Sequence, residues 1–282
     1  MNITTERGEF PCLDLGDGHP VLFVHGAASD HRTWSPVVEA LGDQFRCVAP
    51  TLRWFGKHSW REDGPSFPEA THAVDLVSIL TTIDAGPAYV VGWSYGANVA
   101  LRIVAARPDL VSGVLIYEPS APWLVSSPDD AAMLNEDALE VFAPVMAALA
   151  AGDTKRSVEH LVAASGGGRR FALLPPNLQA WALENAHTMP HLVGAKTSGD
   201  AEAPELANLA RSGVPISVAW GACSRPMWAV PSRAAAGCLN GNHREIAGAD
   251  HLWPVSDPTS FADLVVSCLT DAKLPSRAHS TP

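Results

Sequence analysis

The chain has 282 residues, of which 47% are apolar and 17% charged. That supplies ample core material and excludes a mainly disordered chain. Lys and Arg number 19 against 30 Asp and Glu, a formal net charge of −11, and a short basic pair such as Arg169-Arg170 makes no basic face, so nucleic acid is not an expected partner.

In chain order, Leu13-Asp14-Leu15 is a short candidate edge strand. Residues 20–25 (PVLFVH) form the first fully apolar run, which ends at Gly26. Trp34, Val37, Val38 and Leu41 follow at i, i+3, i+4, i+7, the spacing of one helix face. Residues 45–49 (FRCVA) predict a strand stopped by Pro50, and Ala73, Leu76, Val77 and Leu80 predict a helix. The run 88–93 (AYVVGW) and the helical set Ala97, Ala100, Leu101 and Val104 come next, followed by a strand at 114–117 (VLIY). From there to Pro215 no strand pattern occurs. Helical patterns at 131–151, 157–164 and 177–186 are instead separated by Gly166-Gly167-Gly168 and Pro175-Pro176. A strand at 215–221 (PISVAWG) and a weaker one at 243–247 (HREIA) precede a last helix carrying Phe261, Leu264, Val265 and Cys268. Asp257 is its expected N-cap, with Pro258 at the first helical position. The polar tail 273–282 is expected to fray.

Runs that are apolar throughout, rather than alternating, suit strands buried on both faces of a parallel sheet. Their alternation with helices predicts an α/β fold, a doubly wound and mostly parallel sheet. Residues 1–120 and 211–282 form the expected core, and 121–210 an inserted helical cap above the strand ends, where a lid would sit. Ligands of such sheets bind at the carboxyl ends of the strands, so chemistry is sought there.

Gly92-Trp93-Ser94-Tyr95-Gly96 fits G-x-S-x-G between a strand and a helix, the context of a nucleophile elbow. Its tight turn presents Ser94, and the new helix aims backbone N–H groups at a developing oxyanion. His25-Gly26-Ala27-Ala28 ends the first strong strand, so the N–H groups of Ala27 and Tyr95 are the expected oxyanion hole, with His25 structural. A serine nucleophile needs a general base. Gly248-Ala249-Asp250-His251 follows the last strand and supplies His251 downstream of the serine.

The segments VLFVHGAASDHRTW, VAPTLRWFG, VVGWSYGANVAL, VLIYEPSAP, VPISVAWG and GADHLWP resemble the α/β-hydrolase fold superfamily, over nearly all of the chain outside the insertion. Most of that superfamily orients the histidine with an Asp shortly after the next-to-last strand. Here that segment reads Gly221-Ala222-Cys223-Ser224-Arg225-Pro226, with Ser224 at the acid's place. Some members, certain lactone hydrolases among them, carry a Glu after the strand that follows the elbow helix, where this chain has Glu118. The resemblance therefore implies Ser94, His251 and Glu118 as catalytic residues. Asp250 is the other carboxylate considered, although a neighbour in a loop rarely reaches the next residue's ring.

Nine Trp stand against three Tyr. Trp54, Trp123 and Trp228 follow strand ends, and with Trp181 and Met189 of the insertion they are the candidate walls of an apolar substrate pocket. The expected activity is hydrolysis of a hydrophobic carboxylic ester or lactone through an acyl-enzyme, without metal or organic cofactor. A serine at 94 speaks against epoxide-hydrolase or dehalogenase chemistry, which needs a carboxylate nucleophile. A C–C hydrolase, lyase, cofactor-free oxygenase or non-catalytic ligand binder on the same fold are the alternatives. MNITTERGEF lacks the basic-then-apolar order of a secretory signal, no run is long enough to span a membrane, and five scattered cysteines show no CxxC spacing. The expected location is the cytoplasm, and the expected partner is a small molecule only.

Overall fold

The computed structural model describes residues 1–282 except 59–68, 167–170, 198–203, 205, 240 and 273–282. Arg169-Arg170, Gly167-Gly168 and the tail 273–282 thus lie outside the described residues. Eight strands among the described residues form one sheet in the order β1-β2-β4-β3-β5-β6-β7-β8. They are β1 (Asn2–Thr5), β2 (Gly8–Leu15), β3 (His19–Val24), β4 (Phe45–Pro50), β5 (Ala88–Trp93), β6 (Val111–Tyr117), β7 (Ile216–Gly221) and β8 (His243–Ile246). From β4 across to β8 every pairing is parallel, while β1–β2 and β2–β4 are antiparallel.

The amino-terminal end differs from the sequence expectation. Leu13-Asp14-Leu15 is not a short edge but the end of an eight-residue strand that lies between β1 and β4. Ile3, Phe10 and Cys12 are its buried signature. They alternate with less buried residues, Glu9, Pro11 and Leu13 among them, because this hairpin covers the core with one face only.

The central strands split their side chains between two layers, since successive residues point to opposite faces. Leu22, Val90, Val114 and Ile116 join the larger core cluster, while Val21, Phe23, Val91 and Leu115 join the second. Helices α1 (Ser35–Leu41), α2 (Glu69–Ile83), α3 (Tyr95–Ala106), α9 (Pro226–Cys238) and α11 (Pro258–Asp271) cover the sheet. Val37, Phe261 and Val265 place α1 and α11 on one face; Leu76, Val99, Ile103 and Ala235 place α2, α3 and α9 on the other. Asp257 caps α11 by accepting from Ser260 N at 3.2 Å, with Pro258 in its first turn.

Between β6 and β7 the described chain is helical: α4 (Pro128–Ala150), α5 (Thr154–Ser165), α6 (Pro176–Glu184), α7 (Met189–Thr197) and α8 (Leu206–Arg211). A single-turn α10 (Trp253–Ser256) follows β8. Helix α8 packs against α3 of the core, so the helical layer over the sheet begins before residue 211. No helix among the described residues is long and apolar enough to cross a membrane.

The chain crosses from β4 over β3 to β5, which makes the β3/β5 border the point where strand order reverses. Open sheets bind ligands at such a border. The elbow sits there because Gly92 and Gly96 let three pieces of backbone meet. A Cβ on Gly92 would stand 2.7 Å from Ala97 Cα, and one on Gly96 would stand 2.3 Å from Val24 O.

Candidate active site

Four non-glycine residues with positive φ follow four neighbouring strands: Ala28 (49°) after β3, Trp54 (68°) after β4, Ser94 (56°) after β5 and Glu118 (49°) after β6. Each such conformation costs about 1–3 kcal/mol and persists only where its surroundings over-determine it. The sheet supplies part of that. Ser94 N donates to Tyr117 O at 2.9 Å and Glu118 N donates to Ala219 O at 3.1 Å, so the ladder continues one residue past each strand.

These turns bring Ser94 and Glu118 to the two edges of one imidazole. Ser94 Oγ lies 3.0 Å from His251 Nε2, and His251 Nδ1 lies 2.6 Å from Glu118 Oε2. An ionised carboxylate only accepts, so Nδ1–H donates to Glu118 and Nε2 is left to accept from the Ser94 hydroxyl. Glu118 is fully buried. Its Oε1 accepts from Gly221 N at 2.7 Å and from the Ser224 hydroxyl. Ser224, at the place where the acid is usual, is therefore a donor to the carboxylate on the neighbouring strand. Asp250 instead turns Oδ1 to Leu252 N at 2.9 Å.

The loop carrying His251 is held from below. Tyr117 OH donates to Asp250 O at 2.7 Å, and Trp93 Nε1 donates to His251 O at 2.9 Å. Trp228 stacks on the imidazole with ring centroids 4.2 Å apart and planes 18° apart. Two further histidines brace the strand ends. His25 Nδ1 donates to Gly26 O at 2.9 Å, and its Nε2 accepts from Leu52 N at 3.0 Å. His72 faces Arg53 O with Nε2 at 3.1 Å and accepts the Tyr95 hydroxyl at Nδ1 at 2.8 Å. Burial pushes His25 down to about 4 and His72 down to about 3, so both rings are neutral.

A cavity of about 120 Å³ opens over Ser94 and His251, and no Asp, Glu, Lys or Arg lines it among the described residues. Ala27, Tyr95, Trp181, Met189 and Trp228 lie on its wall, as do Phe142 and Leu161 of the insertion, which the sequence reading did not single out. Their helical spacing marked them as apolar but not as facing Ser94. Trp54 and Trp123 are outside the lining, a correction to the sequence expectation. The Trp54 ring is turned edge-on to His72, with centroids 5.7 Å apart, and lies under the Arg53 guanidinium. Trp123 sits in a single helical turn and packs into the larger core cluster.

The insertion is fastened to the rim through Asn185, which is fully buried. Its Nδ2 donates to Asp30 Oδ2 and to Trp181 O, both at 2.9 Å, and its Oδ1 accepts from Gly56 N at 2.7 Å. Arg32 bonds both Asp30 and Glu184 at 2.6 Å. Burial raises the Asp30 carboxyl, but hydrogen bonds from Arg32 and Asn185 outweigh it and hold the group down to about 2.

The geometry can be set beside known proteins. An esterase of Mycobacterium tuberculosis is 34% identical over 119 residues, 41% of this chain and 39% of that protein. The chain spans about two-fifths of the length of the curated relatives it matches. Among solved structures, the enol-lactonase from Burkholderia xenovorans LB400 superposes with a TM-score of 0.76 at 18% identity, over 96% of this chain and all of the other. A thermophilic esterase from Thermogutta terrifontis gives 0.69 at 24% identity, over 96% and 98%. At these identities the likeness is one of fold. The model of the alpha/beta hydrolase family matches residues 21–264, which is most of the chain, including both halves of the sheet and the insertion between them; the chain belongs to the alpha/beta hydrolase family.

Proposed function

We propose that this chain is a serine hydrolase that cleaves a carboxylic ester or lactone of a largely apolar small molecule through an acyl-enzyme. The observation that carries the reading is the hydrogen-bonded line from Ser94 through His251 to Glu118, at 3.0 and 2.6 Å, on the floor of an uncharged cavity. Ser94 Oγ attacks the substrate carbonyl while His251 Nε2 takes its proton. The N–H groups of Ala27 and Tyr95 receive the oxyanion, Tyr95 at the amino terminus of α3. His251 then delivers the proton to the leaving alkoxide. In the second half a water gives a proton to His251 and attacks the acyl carbonyl, and Ser94 leaves with that proton. Glu118 holds the ring in the required tautomer and offsets the imidazolium charge. Trp181, Met189 and Trp228 supply apolar wall. A serine and not a carboxylate at 94 favours acyl transfer over alkyl-enzyme chemistry, and an esterase and an enol-lactonase among the similar proteins agree with this class.

The test is hydrolysis of aryl esters and lactones, with a fluorophosphonate adduct located by mass. Ser94→Ala is expected to lose the adduct and turnover by a factor on the order of 10⁶, and Glu118→Gln turnover by about 10⁴. Asp250→Asn is expected to keep most activity, because its amide oxygen still accepts from Leu252 N. Undiminished turnover in Ser94→Ala would overturn the reading. Activity lost in Asp250→Asn but kept in Glu118→Gln would overturn the assignment of the acid.

A further inference from the structure

Trp228 lies over His251 as one flat ring on another, with centroids 4.2 Å apart and planes 18° apart. Nearby ring pairs are tilted: Trp93 on His251 by 48° at 5.8 Å, and Tyr117 on Trp253 by 45° at 5.7 Å. An apolar wall alone requires no parallel face. Trp228 is buried, yet it belongs to neither layer of the sheet's core. It shares a third, small cluster with Met227 of its own helix and Val141 of α4, and Phe142 and Leu161 of the insertion pack against that cluster.

The first turn of α9 is fixed by the same helix α4. No side chain caps α9 from its N-cap position, Arg225, so its first N–H groups need partners from elsewhere. The buried Asp137 of α4 supplies one: its Oδ2 accepts from Met227 N at 3.0 Å. Its Oδ1 accepts from Arg225 Nε at 3.0 Å and from Arg225 Nη2 at 2.6 Å. Neither Asp137 nor Arg225 lines the cavity. One carboxylate of the insertion thus grips residues 225 and 227, directly before the indole that covers His251.

We propose that Trp228 is a positioning residue for His251, and that helix α4 of the insertion holds it in place through Asp137. The inference rests on the serine-hydrolase reading above. Before reaction the His251 ring has a partner at each nitrogen, Ser94 at Nε2 and Glu118 at Nδ1. Once Ser94 Oγ has bonded to the acyl carbon, the serine proton has passed to Nε2 and Glu118 is the remaining tie. The stacked indole then keeps the ring plane, so that Nε2 stays aimed at the leaving alkoxide and afterwards at water. It also acts on charge. His251 becomes an imidazolium in each half of the reaction, and the face of an indole attracts a cation most strongly where water is excluded.

The experiment compares Trp228→Phe, Trp228→Leu, Asp137→Ala and the double variant Trp228→Leu/Asp137→Ala with the wild-type chain. kcat and KM are measured on p-nitrophenyl butyrate, and the rate of Ser94 labelling by a fluorophosphonate is followed in parallel. Trp228→Leu keeps an apolar wall without a flat face. Its kcat and labelling rate are both expected to fall by about 30-fold, with KM moving by less than about 2-fold. Trp228→Phe restores a flat ring and is expected to recover most of that loss, to within about 3-fold of wild type. Asp137→Ala leaves the cavity lining in place and is expected to lower kcat by about 5-fold, but to add no further loss in the Trp228→Leu background, since both changes act through the same stack. A loss in Trp228→Leu confined to KM, with kcat and labelling kept, makes Trp228 wall only and overturns the inference. So does a Trp228→Phe chain as slow as Trp228→Leu, or losses that simply add in the double variant. Where Trp228→Leu fails to fold, Asp137→Ala decides, and an unchanged kcat there overturns the inference. No turnover and no labelling of Ser94 in the wild-type chain sinks the hydrolase reading and the inference with it.

Discussion

The carboxylate of Glu118 meets three donors, from His251, Gly221 and Ser224. Ser224→Ala removes one and leaves Oε1 with the Gly221 N–H alone. Glu118 then gains freedom in a pocket it cannot leave, and the orientation of His251 loosens. The expected result is kcat lower by about 10-fold with KM little changed, because one hydrogen bond to a charged group contributes roughly 1.5–3 kcal/mol. Steady-state kinetics check this, and a change confined to KM would contradict it. At this scale the sequence marks which residues leave a strand, since Gly, Pro and an abrupt polar residue end each apolar run. Ser94, Glu118 and His251 all stand just past such ends, Ser94 marked further by G-x-S-x-G and Glu118 singled out as an acid only by the resemblance to the superfamily. It does not mark where a side chain turns next. Trp54 and Trp123 also leave strand ends, but packing on His72 and on the core draws their rings away from the cavity.

Among elements, α6 is the one tied most directly to the strand ends. Asn185, just after it, joins the loops that follow β3 and β4 through Asp30 and Gly56. Asn185→Ala strips a partner from a buried carboxylate and from Gly56 N. The expected cost is about 1–3 kcal/mol in stability, with faster hydrogen exchange concentrated in α6 and α7. Protection unchanged there would show that the helices are held by apolar packing alone. Helices α4, α5 and α6 are legible from their 3.6-residue spacing, α4 despite Pro144 inside it, whereas α7 and α8 carry no such reading. Helix α9 is not legible either. Pro231 and Gly237 interrupt its pattern, and its site residue Trp228 was read as belonging to a strand end. The β1–β2 hairpin was missed for a different reason. Its burial is one-sided, and three inward residues spread over two strands make a weak signal.

For the molecule as a whole, acid acts through the two buried histidines. An unfolded chain protonates them near 6.5, whereas the folded chain resists until about 4 at His25 and about 3 at His72. Between those values the unfolded state binds more protons, so stability is full above about 6.5 and falls as the pH drops towards 4 and 3. Each histidine adds a slope of about 1.4 kcal/mol per pH unit in its window. Asp30, held down to about 2, adds its own loss only below the ordinary carboxylate range. Denaturant titrations between pH 7 and 4 check this. His72→Gln, whose amide can still donate to Arg53 O and accept from Tyr95, is expected to remove about one proton from the slope. A stability independent of pH over that range would contradict the assignment. The parallel sheet was the most legible part of the molecule, because strands buried on both faces leave uninterrupted apolar runs.

Glu118 and Ser224 end neighbouring strands, and the register of β6 on β7 sets Tyr117 opposite Ala219. Their side chains converge on one point beside His251 from two directions. The histidine, and not any single strand, defines where negative charge belongs. A carboxylate at 224 would crowd the position that Glu118 holds. The hydroxyl of Ser224 is what that shared point accepts without a second charge: a donor small enough to leave the place to Glu118.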